Sequence, residues 1–205
     1  MQKQEINFRL AKNLIKEGDV LLFRGNSWAS YFIGVAGEGV HTHVGVASWH
    51  GDLLECVEFK EWRGGRAVNL QRQVAENPGL IDVFRPVSTF SSYEYVDGAV
   101  HEIKKKFDPK CVTNNMRKLT GLPYGWKRIW WIFRHKAIGL RLWRDNGQLV
   151  DDRVKELIYP VCSTSLAWAF SSCGFDLVKM RSDQWTEPAD VARSARLNYL
   201  FTLTP

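Results

Sequence analysis

His41-Thr42-His43-Val44-Gly45-Val46 reads as a strand with two unlike faces. Successive side chains on a strand point to opposite sides, so Val44 and Val46 pack one way while His43 and Gly45 face the other. A glycine beside a histidine leaves room for another group to approach the imidazole, and an imidazole is the usual partner that activates a thiol. Read alone, the stretch also fits a half-exposed histidine on an edge strand. His41 and His43 are two apart, a spacing that can bind metal. No third ligand is evident, so no metal site is expected.

Working outward, Gly18-Asp19 turns the chain into the apolar strand Val20-Leu21-Leu22-Phe23. His50-Gly51-Asp52 reads as a hairpin turn, followed by a strand over 53–59 and two more near 66–71 and 80–85. Residues 5–16 have the apolar spacing of an amphipathic helix. Ser27 is placed to cap a helix over 28–35. Residues 92–107 have spacing compatible with a further helix. The last quarter adds a helix from Cys162 to Gly174, one opened by Pro188, and a closing strand at Tyr199-Leu200-Phe201. Strands early and helices late indicate an α+β domain.

The helix start at Val161-Cys162-Ser163-Thr164-Ser165 carries the second chemical signal. Unpaired backbone N–H groups and the macrodipole favour negative charge there, and a thiolate is the nucleophilic form of cysteine. The same N–H groups suit an oxyanion. The plain alternative is a buried cysteine at the start of a core helix. A third group should orient the imidazole. Leu53-Leu54-Glu55-Cys56-Val57-Glu58 offers two carboxylates on opposite faces, so at most one meets His43. A tight hairpin at 50–52 puts Glu55 on the strand neighbouring His43. Both carboxylates also fit a solvated strand.

In their order along the chain, these pieces resemble the circularly permuted papain-like amidases, the YiiX/YaeF-like branch of the NlpC superfamily. The matching stretches are Gly18-Asp19-Val20-Leu21-Leu22-Phe23-Arg24, His43-Val44-Gly45-Val46, Glu55, Leu122-Pro123-Tyr124-Gly125-Trp126, Cys162-Ser163 and Glu187-Pro188-Ala189-Asp190-Val191. Histidine before cysteine is the permuted order. The resemblance implies a papain-like fold with a small antiparallel sheet or half-barrel packed by helices. It further implies Cys162 as nucleophile, His43 as base and Glu55 as orienting acid, with Tyr124 near the substrate. The long stretch from Tyr124 to Cys162 departs from the family pattern.

That stretch contains Trp126-Lys127-Arg128-Ile129-Trp130-Trp131-Ile132-Phe133-Arg134, part of a Trp/Arg-rich insertion over about 126–150 in an otherwise single domain, 1–205. In a helix, Trp126 and Trp130 share a face and Arg134 flanks it. That pattern suits an anionic membrane surface, or a helix packed on the core with its cations solvated. The chain carries net charge +6, which attracts polyanions. No nucleic-acid motif accompanies it, so nucleic acid is not expected as a partner. Met1 to Ile6 lacks an apolar signal region, so synthesis in a cytoplasm is expected, with the final site open. On that basis the four cysteines are expected to be reduced thiols. No cofactor is implied.

These readings combine into a thiol hydrolase, an amidase or peptidase acting on peptide or cell-wall peptide bonds. The alternatives are a lipid-directed acyl hydrolase or acyltransferase at a membrane surface, and a non-catalytic binding module.

Overall fold

The computed structural model describes residues 4–25, 39–76, 80–125, 161–179 and 181–205. The Trp/Arg stretch with Trp126, Trp130 and Arg134, and the helix expected over 28–35, lie outside the described residues. In chain order the elements are β1 (Glu5–Asn7), α1 (Phe8–Ala11), β2 (Val20–Arg24), β3 (His41–His50), β4 (Leu53–Lys60), β5 (Gly64–Asn69) and α2 (Leu70–Glu76). There follow β6 (Ile81–Pro86), β7 (Thr89–Val96), β8 (Ala99–Lys106), α3 (Pro109–Lys118), α4 (Cys162–Ser171), α5 (Pro188–Ala192) and β9 (Leu197–Thr204).

Seven strands form one sheet in the order β1-β9-β6-β2-β3-β4-β5, while β7 and β8 make a separate two-stranded hairpin. Within the large sheet the pairings are antiparallel except β1 with β9. Period-2 alternation gives the sheet two apolar faces. Val20, Leu22, Val44, Val46, Val57 and Phe59 face one core, closed by α3 and α4 through Val112, Met116, Leu166 and Phe170. Leu21, Phe23, Ala47, Leu54 and Cys56 face the other, closed by α1 and α2 through Phe8, Ala11, Leu70 and Val74. Both faces of β2, β3 and β4 are therefore buried. The architecture is mixed α/β, with several helices on a mostly antiparallel sheet. No helix among the described residues is long and apolar enough to cross a membrane.

Three local expectations are corrected. The helix expected over 5–16 is a strand, a four-residue helix and a 3-10 turn over Lys12–Leu14. Ile6 pairs with Leu203 in the sheet, and Asn7 accepts from Arg9 N to cap α1. The buried set is Phe8, Ala11 and Ile15, whereas Leu10 and Leu14 are exposed. The helix expected over 92–107 is the β7–β8 hairpin. Its turn, Asp97-Gly98, has φ +50 and +82, the left-handed pair that a two-residue type I′ connection needs and that Asp-Gly supplies. Finally, the cysteines are not all free. Cys111 in α3 and Cys173 just beyond α4 form a disulfide, leaving Cys56 and Cys162 as thiols. Helices α3 and α4 pack side by side, and contact across 62 residues of sequence has no local signature.

Candidate active site

The turn Gly51-Asp52 fixes the register of β3 on β4, with His50 opposite Leu53, Ser48 opposite Glu55 and Gly45 opposite Glu58. That register puts Glu58, and not Glu55, on the face of His43. His43 Nε2–H donates to Glu58 Oε2 at 2.6 Å, and both side chains are buried. The reach is diagonal, past Gly45. A Cβ on Gly45 would lie 2.6 Å from Cys56 Sγ and 3.2 Å from Glu58 Cβ, so glycine is what keeps the row open. Glu55 turns to the opposite face, where Arg117 Nη2 donates to it at 2.6 Å while also reaching Ser48 Oγ. The assignment of Glu55 as the carboxylate beside His43 is therefore corrected to Glu58.

Beside Glu58 on the next strand stands Arg66. Its Nε and Nη2 donate to Glu58 Oε1 at 2.8 and 2.5 Å. Gln73 on α2 donates through Nε2 to Oε2 at 2.8 Å. Burial alone would push the Glu58 carboxyl up. The His43 charge and hydrogen bond, with help from Arg66 and Gln73, overcome it and hold Glu58 down at about 2. Burial likewise works against charge on His43. The Glu58 carboxylate and Cys162 outweigh it and lift His43 to about 10.

Cys162 is the first residue of α4, after extended Val161. Val161 N–H donates to Thr164 Oγ1 at 3.1 Å, and Ser163 Oγ donates to Thr186 O at 2.6 Å, so the helix start is pinned on both sides. The Cys162 thiol lies against the His43 ring and contributes to raising it. With Nε2 occupied by Glu58, Nδ1 is the ring nitrogen left for sulfur. It is buried and has no hydrogen bond of ordinary geometry among the described residues. Tyr124 hydrogen-bonds both the thiol and the backbone of Cys162. Burial, then the Cys162 and Glu61 charges, push its phenol well above the ordinary value; it stays protonated and can donate. The chain after α3 is held against β5 by Gly65 N–H to Leu122 O at 2.9 Å and Gly121 N–H to Gly65 O at 2.8 Å. A Cβ on Gly64 would sit 2.1 Å from Leu122 O, so the close approach that sets Tyr124 in place depends on that glycine.

His41 follows a separate course. A register slip at Phe23–Arg24 sets Phe23 opposite His43 and Arg24 opposite His41. His41 Nε2 bonds Asp82 at 2.8 Å, and Asp82 also accepts from Arg24 and Thr202. The two histidines thus serve two carboxylates. Among the described residues no group of three or more His, Cys, Asp or Glu is arranged to hold a metal ion. Arg66 and Gln73 were missed by sequence reading. Arg66 was legible from pairing across β4 and β5; Gln73 was not, because α2 itself was not foreseen.

No family model and no curated protein matches the chain. Among solved structures it is similar to the metalloprotein YiiX of Escherichia coli O157:H7, described as DUF1105. The two are 13% identical, with a TM-score of 0.59 over 93% of this chain and 99% of that one. At this identity the likeness is one of architecture: the chain has a YiiX-like fold.

Proposed function

We propose that the chain is a thiol hydrolase of the permuted papain-like type, cleaving amide bonds in peptides, cell-wall peptides foremost. The observation that carries the reading is the buried His43, held by Glu58 on one nitrogen with the Cys162 thiol against its ring. A nucleophile, a base and an orienter in contact are the arrangement acyl transfer needs. Glu58 fixes the ring and stabilises the imidazolium that forms as His43 takes the thiol proton. Sulfur attacks the carbonyl carbon, and the C=O electron pair moves to oxygen. The Cys162 N–H and the Tyr124 hydroxyl would donate to that oxyanion. Collapse expels the amine, which takes its proton from His43 and leaves a thioester. Neutral His43 then draws a proton from water, whose oxygen displaces sulfur and releases the acid.

The YiiX neighbour is called a metalloprotein. The described residues here do not fit a metal, since His41 and His43 are each engaged by a carboxylate.

The test is mass spectrometry of the purified protein with iodoacetamide and with a panel of cell-wall peptides. Wild type is alkylated at Cys162, and His43→Ala slows this at least about a hundredfold, the low end of what a positioned base supplies. Peptide turnover disappears in Cys162→Ala. Alkylation indifferent to His43, or turnover surviving in Cys162→Ala, would overturn the reading. Cys56 serves as internal control. Burial, with the Glu58 charge beside it, pushes that thiol well above its ordinary value.

A further inference from the structure

The reading above needs Glu58 to face His43 as a carboxylate, in one orientation, inside a core. A buried carboxyl left to itself takes up a proton. The residues around Glu58 answer both requirements. Register aligns Gly45, Glu58 and Arg66 across β3, β4 and β5, and α2 covers the row. Oε1 accepts two bonds from Arg66, and Oε2 accepts from His43 and Gln73. Among the described residues, the charged or titratable groups on the face of Glu58 include His43 from β3, Arg66 from β5, and on its own strand Lys60 and Cys56, whose Sγ lies 3.9 Å from Oε2.

Gln73 shows that this arrangement has a purpose beyond packing. Its Oε1 is buried with no hydrogen-bond partner among the described residues. Turning the amide would set that oxygen against the Glu58 carboxylate, so the buried oxygen stays unsatisfied in order that the NH2 serve Glu58. A buried polar atom without a partner is rare in a folded protein and calls for a specific reason.

Building on the thiol-hydrolase reading, we propose that Arg66 and Gln73 are positioning residues that clamp Glu58 as an oriented carboxylate on His43 Nε2. Arg66 supplies charge and a two-pronged grip on Oε1; Gln73 fills the remaining site on Oε2 without adding charge. Neither touches the reacting atoms.

The experiment is carboxyl 13C NMR of glutamate-labelled protein, with the Glu58 resonance assigned from Glu58→Gln. Wild-type Glu58 stays ionised down to about pH 3. In Arg66→Met it takes up a proton with a midpoint at least about one unit higher, bringing it into range. Gln73→Leu moves it in the same direction by less, and Arg66→Lys restores most of the loss in Arg66→Met by returning the charge. A Glu58 resonance that remains ionised to pH 3 in both Arg66→Met and Gln73→Leu overturns the proposal. Since Gln73→Leu removes one neutral hydrogen bond, it gives a result even where Arg66→Met fails to fold. Cys162 alkylation at pH 7 in wild type and His43→Ala is run beside it. Loss of His43 dependence there defeats the hydrolase reading alone, and an unmoved Glu58 defeats the clamp alone.

Discussion

Replacing Glu58 by Gln keeps an oxygen for His43 Nε2 but removes the charge that His43 and Arg66 both face. Breaking a buried ion pair from one side leaves a buried cation without compensation. We expect Glu58→Gln to lose about 3 kcal/mol of stability. Glu55→Gln should lose about 1 kcal/mol or less, because the Arg117 partner is 30% exposed and solvent screens the pair. Urea denaturation of the two variants checks the contrast; equal losses would mean that Glu58 does not face a charged His43. The difference between these carboxylates was legible without a structure. A two-residue turn at Gly51-Asp52 makes opposed residues sum to an odd number, so the even positions of β4 share the face of His43. Glu58 meets that condition and Glu55 does not. What the sequence does not contain is the reach: that His43 bonds diagonally past a glycine and not to the residue directly across.

At the scale of elements, β2 and β3 were readable as strands from the apolar run Val20 to Phe23 and the alternation around His43, but that alternation does not tell a central strand from an edge one. The hairpin at β7–β8 was obscured by Val96, Val100, Ile103 and Phe107, whose spacing imitates a helix stripe, although Asp97-Gly98 interrupts it with a hairpin signal. The helix start at Cys162 was plain from the apolar run behind it, but the strut holding that helix was invisible. Cys111 and Cys173 tie α3 to the far end of α4. A cross-link closing a loop of this length restricts the unfolded chain by about 4 kcal/mol on the chain-entropy model. Cys173→Ser, or reduction with dithiothreitol, should lower the urea stability by about that amount. Ellman titration of the denatured protein should show two thiols before reduction and four after. Four thiols without reductant would exclude the bridge.

For the molecule as a whole, the His43–Glu58 pair sets a pH window. Glu58 is held at about 2, below its ordinary 4.5. Its contribution is complete above about 4.5 and is lost as pH falls through 2. His43 is lifted to about 10 from 6.5. Its contribution is complete below about 6.5 and is lost as pH rises through 10. Urea midpoints measured from pH 5 to 10 should therefore be flat to about 6.5 and decline above it, and His43→Gln should lack this component of the decline. An alkaline slope unchanged in that variant would show that His43 titrates alike in folded and unfolded chains. The sheet order has a different kind of consequence. β2 to β5 follow one another in sequence and can pair as they leave the ribosome, so the strands bearing His43 and Glu58 come together early. β6 has β2 on one edge, while its other edge waits for β9, more than a hundred residues downstream. Until the last strand emerges, the nascent chain carries a bare strand edge, a template for pairing with another chain. The hazard for this protein therefore lies in its biogenesis, in the interval between making the half that holds the base and delivering the strand that seals the sheet.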